Sequence, residues 1–265
     1  MDIQQLKQFK ILVIGDSCKD VYNYGICERL SPEAPVPVVK LSYAEEKPGM
    51  ALNVEKNLKA LGHETLILTN RESLVKERFV DQTTMQHLLR VDRGEEAELE
   101  PIFVGILKTV DNMSFDYDCV VISDYDKGFL THEKCKEIIK ELSKRKVKIF
   151  VDSKKKDLSC YDGCIIKVNE EEYAEMEKPP TNSELIVTLG PNGASWRDKK
   201  FPVESTSVFD VCGAGDTFMA SFVTAYMSTD SFEESIEFAN KCAGISVKKF
   251  GNYTISLEDL NELRF

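Results

Sequence analysis

The stretch Asp210-Val-Cys-Gly-Ala-Gly-Asp216 places two carboxylates and two glycines within seven residues. Gly213 and Gly215 permit a tight turn and a close approach of backbone to ligand. A helix-compatible run follows at 214–227. The unpaired N–H groups and positive dipole end of its first turn therefore fall on Gly213, Ala214, Gly215 and Asp216. Such a turn is an anion hole suited to the charge on a phosphoryl group in transfer, and Asp216 could take the proton of an attacking hydroxyl. The same residues also describe an ordinary glycine turn whose aspartate caps a helix. Further polar groups end apolar runs: Asp16 after KILVIG, Asp124 after CVVIS, Asp152 after VKIFV and Asn169 after GCIIKV. Glu172 follows Asn169 in a Glu-rich helix start.

These groups need a scaffold that brings run ends together. Strands are expected at 10–16, 63–70, 119–124, 147–152, 163–169, 184–190 and 193–198. Helices are expected at 50–62, 131–146, 214–227, 231–249 and 256–264. Their alternation predicts an α/β fold with a doubly wound, mostly parallel sheet, which binds ligands beyond the carboxyl ends of its strands. The extended segments 20–47 and 75–92 break the alternation, and Pro35 and Pro37 exclude a helix in the first. They read as a small β lid over that edge, within one domain spanning 1–265.

Composition narrows the partners. The net charge is -11 with no long Lys/Arg run, which argues against nucleic acid or an anionic membrane surface. No apolar run approaches the roughly 20 residues of a membrane span, and the opening MDIQQLKQFK does not read as a leader. Eight cysteines without a CxxC pair predict reduced thiols and a cytoplasmic location, with Cys212 a small packing residue. The three histidines have neither metal nor triad spacing and read as surface or packing residues.

The string DVCGAGDTFMASF resembles the D-T-x-G-A-G-D signature of the ribokinase/PfkB sugar kinases, with Val211 in place of the threonine. SPEAPVPVV, PGMALNV, LLRVD, SDYDKG and FANKCAGISVKKFGNYTIS are similar to one branch, the D-glycero-D-manno-heptose-7-phosphate kinases. Those enzymes phosphorylate the anomeric hydroxyl in ADP-heptose synthesis. The resemblance covers nearly the whole chain in patches and implies a ribokinase-like fold, ATP and Mg²⁺. It implies that Asp216 is the general base and that the backbone of Gly213, Ala214 and Gly215 holds the transferring phosphate. Asn169 and Glu172 would organise Mg²⁺, largely through water. Thr188, Gly190 and Gly193 would contact nucleotide phosphates or ribose, and Asn240, Gly244 and the 250–254 loop would flank adenine and ribose. Asp210 and its neighbours resemble a loop for a monovalent cation such as K⁺. On the acceptor side, Asp16 matches an acid that bonds sugar hydroxyls, and Gly49 and Asn53 match the first glycine and the asparagine of a glycine-pair element. Arg78, Arg90 and Lys127 are candidate cations for a sugar phosphate. The lid implies a homodimer.

Three departures stand out. Met50 occupies the second glycine of that glycine-pair element, where a long side chain would narrow the sugar pocket or displace the backbone. Relatives carry a further strand–helix–strand passage after LILTN and another helix after VNEEEYAEMEK. No nucleotidyltransferase domain of the bifunctional relatives follows within these residues. The expected activity is ATP-dependent phosphorylation of a sugar phosphate, best matched by heptose 7-phosphate at C1. A kinase for another sugar and a catalytically silent sugar- or nucleotide-binding homologue are the alternatives.

Overall fold

Strand β1 (Lys10–Gly15) is apolar on both faces, as a central parallel strand must be. Ile11 and Val13 point into one buried cluster, and Leu12 and Ile14 into another. The structure, a computed structural model, describes residues 6–95, 99–112, 115–204 and 207–262. Around β1 run β4 (Glu64–Thr69), β7 (Cys119–Asp124), β8 (Lys148–Ser153), β9 (Ile165–Asn169) and β10 (Glu184–Thr188), all parallel. Two short antiparallel strands, β11 (Ala194–Trp196) and β12 (Lys199–Phe201), extend the edge, giving the order β12-β11-β10-β9-β8-β7-β1-β4.

Helices cover both faces. Helices α1 (Ala51–Ala60), α5 (Ala214–Thr229), α6 (Phe232–Ser246) and α7 (Leu257–Glu262) close the first cluster. Helices α2 (Ile106–Asn112) and α3 (His132–Ser143) close the second. The periodicity of α3 explains its seat: Cys135, Ile138, Ile139 and Leu142 are buried on one stripe, and the Thr131 hydroxyl caps its start by accepting from Lys134 N. Each large side chain so buried contributes about 1.5–3 kcal/mol. Among the described residues, no helix is long and apolar enough to cross a membrane.

The segments outside the alternation form a second sheet, β3-β2-β5-β6, from β2 (Ser17–Leu30), β3 (Pro37–Met50), β5 (Val75–Asp81) and β6 (Gln86–Arg93). Its inner face rests on Phe250, with Tyr22, Tyr24 and His87 in ring contact at 5.8, 6.0 and 5.3 Å. The α/β class, the mostly parallel sheet and the β lid agree with expectation. The short β12 and α2 had no counterpart in the sequence, whereas the five-residue α4 (Glu170–Ala174) is the Glu-rich helix start expected after Asn169.

Candidate active site

The parallel strands deliver their ends to one edge. Gly15 pairs with Ser123, Asp124 with Ser153, Asp152 with Lys167, and Asn169 with Thr188, so Asp16, Asp124, Asp152 and Asn169 line up across the sheet. Above this row lies the start of α5. Its N-cap is Gly213, at φ 74, where a Cβ would sit 2.8 Å from Asn53 Nδ2. The turn therefore needs glycine for conformation and for space. The Ala214 amide donates to Val211 and the Thr217 amide to Gly213, but no backbone carbonyl of the described residues takes the amides of Gly215 and Asp216. Two uncommitted N–H groups at a helix start form an anion-binding hole.

Asp216 does not cap the helix. Its carboxylate accepts from Asn53 Nδ2 at 2.8 Å and from the Tyr125 hydroxyl at 3.0 Å. Burial raises its pKa to about 6; the charge of Asp152 adds to this, while Asn53, Lys167 and Tyr125 pull it down. A carboxylate tuned in this way ionises near neutrality, as a general base requires. Burial, together with the charge of Asp216, pushes the Tyr125 phenol well above its ordinary range, so it remains a donor. Lys167 is buried in an ion pair with Asp152 at 2.7 Å, and its Nζ lies 3.1 Å from where a Cβ on Gly215 would be. A positive charge thus sits against the GAGD turn.

Asp16 is fully buried at the end of β1. One carboxylate oxygen accepts from the Tyr125 amide at 2.7 Å and the other has no hydrogen-bond partner. Burial and the nearby Asp124 charge raise its pKa to about 6. Tyr125 thus links the two acids, with its backbone on Asp16 and its hydroxyl on Asp216. The lid carries its own acid, Asp20 of β2. It pairs with Arg78 and accepts from Asn252 Nδ2 at 2.5 Å, and a Cβ on Gly49 would lie 2.3 Å from it. Gly49 is therefore glycine because β3 crosses the Asp20 carboxylate.

Asn169 and Glu172 form a reciprocal capping box on α4: Asn169 Oδ1 accepts from Glu172 N, and Glu172 Oε2 from Asn169 N. Glu172 Oε1 lies 3.6 Å from Lys154. Lys154, Lys155, Lys156, Asn169, Glu171, Glu172 and Glu175 line a cleft of about 240 Å³. Lys155 reaches Asp124 at 3.4 Å and Lys156 reaches Glu175 at 3.1 Å. Among the described residues, no three His, Cys, Asp or Glu side chains converge to hold a metal. A cleft that interleaves three lysines with three glutamates fits a polyphosphate carrying Mg²⁺ that keeps most of its water.

The other expected site residues are distributed as follows. Thr188 ends β10 beside Asn169, its hydroxyl on Val168 O at 3.3 Å. Gly190 and Gly193 shape the turn into β11. Asn240 is buried and ties α6 to Phe201 O at 2.8 Å, whereas Gly244 borders open space. Asp210 accepts from the amides of Cys212 at 2.9 Å and Gly251 at 2.8 Å, with His87 of the lid 3.8 Å away. The three candidate phosphate cations are engaged by acids: Arg78 by Asp20, Arg90 by Asp92 in two bonds of 2.7 and 2.6 Å, and Lys127 by Glu95 at 2.6 Å. His63 is a packing residue, bonded to Thr224 at 2.8 Å.

Met50 turns its side chain into the core. It sits at φ 57, ψ -131, a conformation that favours glycine, and its side chain is 3% exposed within the cluster containing Leu12, Ile14, Cys18 and Leu74. Asp20, Tyr125, Lys76, Lys154 and Lys167 were not singled out from the sequence, and Asn252, from the 250–254 loop expected beside adenine and ribose, bonds Asp20 instead. The run SKKKD after β8 and the tyrosine in SDYDKG were the signals available.

Residues 66–260 match the profile described as pfkB family carbohydrate kinase. The chain is 33% identical to the bifunctional protein HldE of Sulfurimonas denitrificans over 97% of its own length, and 34% identical to that of Nitratiruptor sp. over 96%. It spans 65% and 64% of those two relatives. Among solved structures it is similar to phosphofructokinase-2 of Escherichia coli in complex with potassium, with TM-score 0.74 and 15% identity, covering 96% of this chain and 98% of that one. It is also similar to Arabidopsis thaliana ribokinase complexed with ribose and ATP, with TM-score 0.65 and 17% identity, covering 98% and 100%.

Proposed function

The chain belongs to the pfkB family of carbohydrate kinases, and from that premise we propose an ATP-dependent kinase whose acceptor is a sugar phosphate, D-glycero-D-manno-heptose 7-phosphate at its anomeric hydroxyl. The observation that carries the reading is the carboxylate of Asp216, tuned to about 6 and seated beside the uncommitted amides of Gly215 and Asp216.

Asp216 takes the proton of the acceptor hydroxyl, with Asn53 and Tyr125 fixing its direction. The Gly215 and Asp216 amides, backed by Lys167, receive the negative charge of the group in transfer. Bound Mg²⁺–ATP supplies the γ-phosphoryl group; Lys154, Asn169 and Glu172 would hold its phosphates and metal. Asp20, carried on the lid, and Asn252 are the polar groups available to sugar hydroxyls. The HldE relatives support the heptose assignment. The decisive assay is ADP release with Mg²⁺–ATP across heptose 7-phosphate, heptose, fructose 6-phosphate and ribose. Heptose 7-phosphate should give the highest kcat/KM; a higher value for another sugar reassigns the acceptor.

The lid also carries exposed Leu30, Val36, Leu41, Tyr43 and Leu89. Apolar groups at the rim of an open sheet favour a partner, and we infer a homodimer through β2, β3, β5 and β6. Light scattering should give twice the chain mass, and a monomeric mass at assay concentration would remove the inference.

A further inference from the structure

The inner face of the lid carries a row of charges fixed by strand register. Asp20 stands opposite Lys76, and Tyr22 opposite Arg78, across β2 and β5; Lys76 stands opposite Asp92, and Arg78 opposite Arg90, across β5 and β6. Opposed residues share a face of the sheet. The burial of Tyr22 and Tyr24 identifies this face as the one turned toward the core. Most of its cations are neutralised: Arg78 by Asp20, Arg90 by Asp92, and Lys47 by Glu45 at 3.9 Å. Lys76 differs. Among the described residues, no carboxylate lies within 4.0 Å of its Nζ.

Lys76 instead extends from the lid to the carboxyl edge of the main sheet, where its Nζ stands 5.1 Å from the ring centroid of Tyr125. Lys154, from the loop after β8, stands 4.8 Å from the same ring. The hydroxyl of that ring is bonded to Asp216. Two ammonium groups therefore stand against one ring beside the proposed base, Lys154 paired with Glu172 at 3.6 Å and Lys76 with no carboxylate within reach. Burial and the neighbouring Arg90 and Lys154 charges hold Lys76 below its ordinary pKa. A half-buried lysine without a counter-ion is an incomplete site.

We propose that Lys76 binds the phosphate group that the acceptor sugar already carries, and so selects phosphorylated over free sugars. The position fits. Lys76 is one aromatic ring and one hydrogen bond away from Asp216, so a sugar can place its reacting hydroxyl on the base and its distal phosphate under the lid. The lid origin of Lys76 also couples lid position to acceptor charge. This inference rests on the kinase reading above and displaces Arg78, Arg90 and Lys127 as the phosphate contacts, since their charges are already matched.

The test uses the full chain with Lys76→Met, which keeps the apolar stem over Tyr125, and Lys76→Arg, which keeps the charge. Titration calorimetry with inorganic phosphate, without nucleotide or sugar, should show affinity falling at least about tenfold in Lys76→Met and surviving in Lys76→Arg. In turnover, the preference for heptose 7-phosphate over heptose, as a ratio of kcat/KM, should fall about 10–100-fold in Lys76→Met, while KM for ATP stays within about twofold. An unchanged ratio overturns the proposal. So does a rise in KM for ATP matching the rise for heptose 7-phosphate, because the cation would then serve the donor. Loss of preference in Lys76→Arg equal to that in Lys76→Met also overturns it, because packing and not charge would be responsible. If wild type phosphorylates no sugar, the kinase reading fails, and the phosphate titration still decides the role of Lys76.

Discussion

Removing the Tyr125 hydroxyl should move the pH dependence of turnover without abolishing it. Asp216 must be ionised to accept a proton, and burial holds its pKa at about 6. Activity should therefore climb as pH rises through about 6 and level off above about 7. The Tyr125 hydroxyl bonds the charged form of Asp216 at 3.0 Å. A hydrogen bond to a charged group contributes about 1.5–3 kcal/mol, equivalent to roughly 1–2 pKa units. In Tyr125→Phe the midpoint should rise to about 7–8, and the rate near pH 7 should fall two- to tenfold. Turnover near pH 9 should return most of the way to wild type. The phenylalanine ring preserves the stacking surface for Lys76 and Lys154, so the comparison isolates the hydroxyl. Coupled measurement of ADP release across pH reads the midpoint directly. A loss of equal size at every pH, or a midpoint that falls, would refute the claim that Tyr125 stabilises the ionised base.

Asp16→Asn should alter stability in a pH-dependent way. The folded-state pKa of Asp16 is raised from 3.8 to about 6 by burial and Asp124, so the acid favours folding while protonated and loses that contribution as pH rises through about 6. The stability of Asp16→Asn relative to wild type should accordingly increase by about 3 kcal/mol between about pH 4 and pH 7 in urea unfolding, and a pH-independent difference would contradict the assignment. Met50→Gly should relieve a positive-φ strain of about 1–2 kcal/mol but forfeit a buried Met side chain worth about 2–5 kcal/mol, for a net loss of up to about 4 kcal/mol. A stabilised variant in the same assay would show that strain outweighs burial.

The edge of the main sheet was legible because each of its strands is a short apolar run that ends on a polar group, and parallel pairing needs no more than that pattern. Asp16, Asp124, Asp152 and Asn169 were all read from it. The lid was legible because Pro35 and Pro37 forbid a helix in an otherwise alternating chain. The contacts made at that edge were less accessible. Tyr125 joins Asp16 to Asp216 through its amide and its hydroxyl, and its bond to Asp216 spans 91 positions in the sequence. Arg78 and Arg90 look available in the sequence, yet the strand register brings Asp20 and Asp92 onto them and leaves Lys76 open. At Met50 the sequence showed a lost glycine but not the direction of the side chain, which turns into the core. Asn169 and Glu172 were read with two meanings, a helix start and a metal-organising pair. The capping box between them realises the first, and their place in the lysine-lined cleft leaves the second for experiment.

The central claim is that Asp216 is the base of a sugar kinase. Its most direct test is ADP release by wild type and Asp216→Asn with Mg²⁺–ATP and heptose 7-phosphate. Asparagine keeps the shape of the side chain and removes its capacity to take a proton. The account predicts sugar-dependent turnover in wild type and a fall in kcat of about 10²–10⁴-fold in the variant. Equal sugar-dependent rates in the two proteins would contradict it.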